Sequence, residues 1–157
     1  ISQKLIRHLL KATEIYKYFQ TIITHLNPGN SSSILVTSLL KAIRTNNDLS
    51  PIQINKLYDL AYNNLNESHQ FILHYAINLQ HRNSIKELEK AEKLLIYADS
   101  LVNERDSKLI HRRAVITFEL AKEWFKTEKT ELVKTLRYLQ ESRELFEIKQ
   151  LIDPCSS

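Results

Sequence analysis

The chain has 157 residues, 22 basic against 18 acidic, with one Gly, three Pro, one Cys and no Met. That length sets one domain with a real core as the expectation, residues 1–157. A single glycine excludes phosphate-cradling loops, a single cysteine excludes a disulfide framework or thiolate-rich zinc site, and 24 Leu with 17 Ile exclude disorder. No apolar run approaches 18 residues, so no membrane span is expected. No basic-then-apolar leader opens the chain. An initial Ile and the lack of Met read as a piece excised from a larger protein, and the lone Cys fits a reducing cytoplasm. The net charge of +4 is mild and the signs alternate along most segments, the pattern of solvated helix faces. Nucleic acid is compatible with that charge but is not implied by it.

Helical periodicity dominates. Leu5, Leu9, Ala12, Tyr16, Phe19, Ile23 and Leu26 recur at alternating spacings of four and three, a seam of about 33 Å at 1.5 Å per residue. Ile6, Leu10, Ile15 and Ile22 widen the arc, which favours packing inside a globular stack over a bare coiled coil. Asn27-Pro28-Gly29-Asn30 stops this helix. A second helix starts in Ser31-Ser32-Ser33 and carries Val36, Leu39, Leu40 and Ile43; Asn46-Asn47-Asp48 breaks it.

Ser50-Pro51-Ile52-Gln53 predicts a capped third helix, with Ser at the N-cap, Pro in the first turn and Gln closing the box. Its stripe is Ile54, Leu57, Tyr58 and Ala61. A fourth helix is predicted over Glu67 to His81. Phe71, Ile72, Leu73, Tyr75, Ala76, Ile77 and Leu79 cover most of its circumference, so it is buried from more than one side. Ser84-Ile85-Lys86-Glu87 is a second capping box, opening a helix with the stripe Leu88, Ala91, Leu95, Ala98 and Val102.

Asp106 caps a sixth helix, predicted to bury Ile110, Ala114, Phe118, Ala121 and Phe125 on one side and Ile116, Leu120 and Trp124 on the other. Its polar face reads Lys108, Arg112, Glu119, Lys122 and Lys126. The seventh helix carries Leu132, Leu136, Leu139 and Phe146, with Leu145, Ile148 and Ile152 beside them, and Asp153-Pro154 stops it. No segment alternates with period two. Seven helices with short breaks therefore predict an all-α fold of antiparallel neighbours.

Ala91, Leu95 and Ala98 are spaced four then three, with Asn103 five later; Ser142, Phe146, Lys149 and Pro154 repeat those spacings. This resembles the second helix of a tetratricopeptide repeat. The likeness covers about Ser84 to Pro154, where Ile110–Phe125 followed by Leu132–Pro154 looks like one divergent helix pair; Lys149 stands where that family has a small residue. The resemblance implies an α-solenoid, a non-catalytic scaffold whose inner face holds a peptide or partner domain, such as the sensing arm of a larger signalling protein. If the sixth helix is the inner one, Lys108, Arg112, Glu119, Lys122 and Lys126 line the hollow and suit an acidic protein segment. A structural bundle dimerising through the long first helix is the alternative architecture.

A second resemblance competes. Arg105, a polar Asp106, and His111 six positions after the Arg resemble the motif of HEPN-type ribonucleases, which are also all-α. The likeness implies Arg and His paired across a dimer, the His as general acid/base at the 2′-hydroxyl and the Arg holding phosphate. Asp106 is explained as well by capping. His69, His74 and His81 are spaced five and seven, which does not converge ligands on one metal ion, so no metal or other cofactor is expected. Cys155 has no nucleophile motif around it. The carboxylates read as solvent-facing, none paired for acid/base work. Most of the tyrosines fall on apolar stripes, as core or groove lining.

Overall fold

A computed structural model describes residues 3–25, 30–47, 49–127 and 129–155. Among these the chain forms seven helices and no strand: α1 (Gln3–Thr24), α2 (Asn30–Asn46), α3 (Pro51–Leu65), α4 (His69–His81), α5 (Ile85–Ser100), α6 (Ser107–Thr127) and α7 (Leu132–Ile152). The Asn27-Pro28-Gly29 stop and Leu26 lie outside the described residues, as do the side chains of Leu5, Ile6, Leu9 and Leu10. The contacts divide the chain into two compact units, 1–71 and 72–157, with the boundary inside α4.

In the first unit α3 is the hub, touched by α1 and α2. Its start is built as the sequence predicts. The Gln53 N–H donates to Ser50 Oγ at 3.3 Å, and the Ser50 N–H donates to Gln53 Oε1 at 3.1 Å. Both arms of the capping box are thus present, with Pro51 in the first turn, where its missing N–H costs nothing. Ser50→Ala is expected to lower stability by about 1 kcal/mol, read as a lower urea midpoint. Ile54, Leu57, Tyr58 and Ala61 are all buried. Ile23 of α1 and Val36, Leu40 and Ile43 of α2, the helices that pack on α3, are buried as well. Asn64 donates to the Ile23 carbonyl at 3.1 Å, fixing α3 on α1. Tyr58 and Phe71 stack with ring centroids 6.0 Å apart. The α2 break has a physical cause: Asn47 takes φ 55°, the left-handed conformation that ends helices and that Asn tolerates.

The second unit packs α5 on α6 and α6 on α7. Contacts show α6 and α7 to be antiparallel. His111 meets Phe146, the Ser142 hydroxyl donates to the Ala114 carbonyl at 2.7 Å, and the Lys134 ammonium lies 4.1 Å from the Trp124 ring centroid. Ala114 and Ser142 let the two backbones approach closely, and Ile110, Ala114 and Leu145 form the core beside them, with Ile148 packed on it. Leu88, Ala91, Leu95 and Ala98 of α5 are buried as its stripe predicts. At the start of α5 the box is only half formed. Ser84 Oγ accepts from the Glu87 N–H at 3.2 Å, but the Glu87 carboxylate turns away to Arg82, 3.3 Å off. A charge-assisted bond to the guanidinium outcompetes a bond to a neutral amide. Arg82 also donates to Asn78 Oδ1 at 2.9 Å, which ties this corner to α4.

The faces of α6 and α7 depart from the periodic reading. Phe118 is 43% and Phe125 54% exposed, while Leu109 and Thr117 are buried instead. On α7 the exposed row is Leu132, Leu136, Leu139 and Phe146; the buried row is Thr135, Tyr138, Ser142, Leu145 and Lys149. Both rows have a three-and-four spacing. The smaller, more polar one is turned inward because only it admits the close approach at Ala114.

Candidate functional site: a basic cleft between α4, α6 and α7

Asp106 sets where α6 begins: its Oδ1 accepts from the Lys108 N–H at 2.8 Å and the Leu109 N–H at 3.4 Å. From that start, helical spacing puts Lys108, His111 and Arg112 on one face. They line a cleft of about 290 Å³ with Ser107 of α6, Leu73 and Ile77 of α4, and Lys149 and Asp153 at the end of α7 and just past it. One wall is aliphatic and the other cationic. Arg112 Nη1 donates to Gln80 Oε1 of α4 at 2.9 Å, which holds the guanidinium in place. Lys149 is 7% exposed, so it stands along the cleft wall instead of trailing into solvent. Its long apolar stem can be buried along α7 while its charged head stays at the cleft surface.

His111 sits edge-on to Phe146, ring centroids 5.8 Å apart. Partial burial, and then the positive charges of Arg112 and Lys149, hold its pKa below that of an ordinary histidine. The ring is therefore neutral at pH 7 and responsive to any negative charge brought beside it.

Of the five residues on the predicted binding row, Lys108 and Arg112 line this cleft. Glu119 borders a separate recess of about 300 Å³ with Gln80, His81, Asn83 and Leu88. Lys122 pairs with Glu119 at 2.8 Å and lies over the Phe118 ring, and Lys126 pairs with Glu123 at 3.0 Å. The row is thus a cationic end followed by a self-neutralised stretch. Arg105 is exposed in the turn before α6 and is not among the cleft-lining residues, whereas His111 is. His69 and His74 are half-buried and His81 is exposed; among the described residues no group of three or more His, Cys, Asp or Glu is placed to hold a metal ion. Cys155 is exposed.

Lys149, Leu73, Ile77 and Asp153 lay beyond sequence reasoning, because three elements distant in the chain bring them together. A second arrangement corrects the reading of the carboxylates. Glu92 of α5 stands beside Glu141 of α7, and Arg113 of α6 donates to Glu141. Burial first, then the Glu141 charge, raises the Glu92 pKa, while Arg113 opposes the rise. A carboxyl that holds its proton more tightly folded than unfolded lowers stability as pH climbs from the ordinary carboxyl value through the raised one. Glu92→Gln places an uncharged amide beside Glu141 and removes that penalty. The variant is expected to exceed the natural chain in urea midpoint at pH 7, and the two should converge below the ordinary carboxyl range. A constant offset at every pH would contradict this.

Comparison of the chain with protein-family models, with curated proteins and with solved structures found no match.

Proposed function

We propose that the chain is a non-catalytic protein-interaction module, a tetratricopeptide-like helical array in which the cleft of α4, α6 and α7 receives an acidic, partly apolar protein segment. The observation that carries this reading is the composition of the cleft. Lys108, Arg112 and Lys149 face an aliphatic wall of Leu73 and Ile77, a combination that serves recognition of a segment carrying both carboxylates and apolar side chains. The antiparallel α6–α7 pair, joined at small residues, fits the helix-pair unit of such arrays. The exposed apolar row of α7 fits an array too, since each pair leaves a face that a neighbouring unit covers.

The test is binding of fluorescent peptides that alternate Glu with Leu or Phe, compared with Lys-for-Glu counterparts. Micromolar binding by the acidic set alone is expected. The double variant Lys108→Glu, Arg112→Glu should lose more than tenfold in affinity, since two attractive contacts become repulsive. Full retention by that variant would discard the reading.

A further inference from the structure

The cleft has a charge count that an ordinary acidic side chain does not satisfy. Lys108, Arg112 and Lys149 contribute three positive charges and Asp153 one negative, so two positive charges remain while His111 is neutral. No titratable group comes from the α4 wall, where Leu73 and Ile77 are the lining residues. One carboxylate would balance half of that excess. A phosphate monoester, with a charge of about −1.5 to −2 at neutral pH and three acceptor oxygens, balances it whole. The volume of about 290 Å³ admits such a group on a small apolar stem, at the lower end of ligand-site sizes. Arg112, held by Gln80, is pre-positioned, which reduces the ordering cost of gripping an oxyanion.

We propose that this cleft is a phosphate-monoester site in which His111 takes up a proton as the oxyanion enters. It rests on the same cleft being a binding face, and it names the group that the face selects. With the cleft empty, the imidazole faces Lys108, Arg112, Lys149 and Asp153, and the excess is cationic. A bound dianion cancels the cationic excess, so the repulsion that disfavours the imidazolium is lifted, the His111 pKa rises, and a ring that takes up the proton donates from both nitrogens. Proton uptake and anion binding then reinforce each other, whichever fills first.

The test uses the full chain and phenyl phosphate. The Hε1–Cε1 resonance of His111, assigned by its loss in His111→Gln, is followed by NMR through a pH titration with and without ligand. Saturating phenyl phosphate is expected to raise the His111 midpoint by about one unit, equivalent to about tenfold tighter binding to the protonated form. Lys108→Gln, an exposed change at the start of α6, should weaken binding at least threefold without altering the helical circular-dichroism spectrum. Inorganic phosphate, which cannot cover Leu73 and Ile77, should bind at least tenfold more weakly; equal affinity would assign the site to free phosphate. A His111 midpoint that stays put under millimolar phenyl phosphate overturns the proposal, and the titration itself is made on the natural chain. The two readings fail separately. Acidic peptides that do not bind, beside a moving His111, sink the interaction module alone. A stationary His111 beside intact peptide binding sinks only the phosphate site.

Discussion

Phe71→Ala is expected to lower stability by about 3–5 kcal/mol, a large share of the roughly 5–15 kcal/mol that holds a domain folded. The ring is fully buried and stacks on Tyr58, itself fully buried in the middle of α3. Truncation removes the apolar transfer energy of a phenyl group and strips contacts from one face of Tyr58. It also leaves a cavity that helices pinned elsewhere cannot close. The α3 frame is fixed by the Ser50–Gln53 box at its start and by Asn64 on the Ile23 carbonyl near its end, so relaxation is limited. Phe71→Leu keeps most of the volume and should cost about half as much. Urea titrations followed by circular dichroism check both. A Phe71→Ala loss below about 1 kcal/mol would show that the ring is not a core element.

The helices were legible because their signals are local. Ser50-Pro51-Ile52-Gln53 contains its own cap, and the Ile54, Leu57, Tyr58 and Ala61 stripe contains its own period, so both were readable without any knowledge of what lay opposite. The same holds for Asp106 and for the stripe of α5. What failed was the choice between two faces. On α7 the row of Leu132, Leu136, Leu139 and Phe146 is the more apolar, and transfer energy alone buries it. The structure buries Thr135, Tyr138, Ser142, Leu145 and Lys149. Backbone proximity decided the matter: a hydroxyl opposite Ala114 lets two helices meet where leucines would hold them apart. That information is shared between two segments and is absent from either one. The cleft follows the same logic. Lys108 and Arg112 were visible as a helix face, and His111 as part of a motif, but their neighbour Lys149 stood out only as a misfit in a repeat pattern. The misfit is the residue that extends the cationic wall from α6 onto α7.

Ser142→Leu is therefore expected to act on stability and on the cleft together. Ser142 is buried, and its hydroxyl reaches the Ala114 carbonyl at 2.7 Å, leaving no space for three further carbons. Overpacking of that kind costs about 1–3 kcal/mol, and the lost hydrogen bond adds about 1. Ser142→Ala isolates the second contribution and should cost about 1 kcal/mol alone. The wedge also has a direction. From Ser142 the α7 chain runs through Phe146 to Lys149, while the antiparallel α6 runs from Ala114 back through His111 to Lys108. Forcing the helices apart at the 114–142 contact pushes the α7 wall of the cleft away from the α6 wall. Phe146 then moves off the His111 ring, and Lys149 is carried away from the α6 wall. Phenyl phosphate affinity is expected to fall at least fivefold in Ser142→Leu and to stay within twofold in Ser142→Ala. If both variants bound alike, the cleft would be held in register by something other than this small-residue contact.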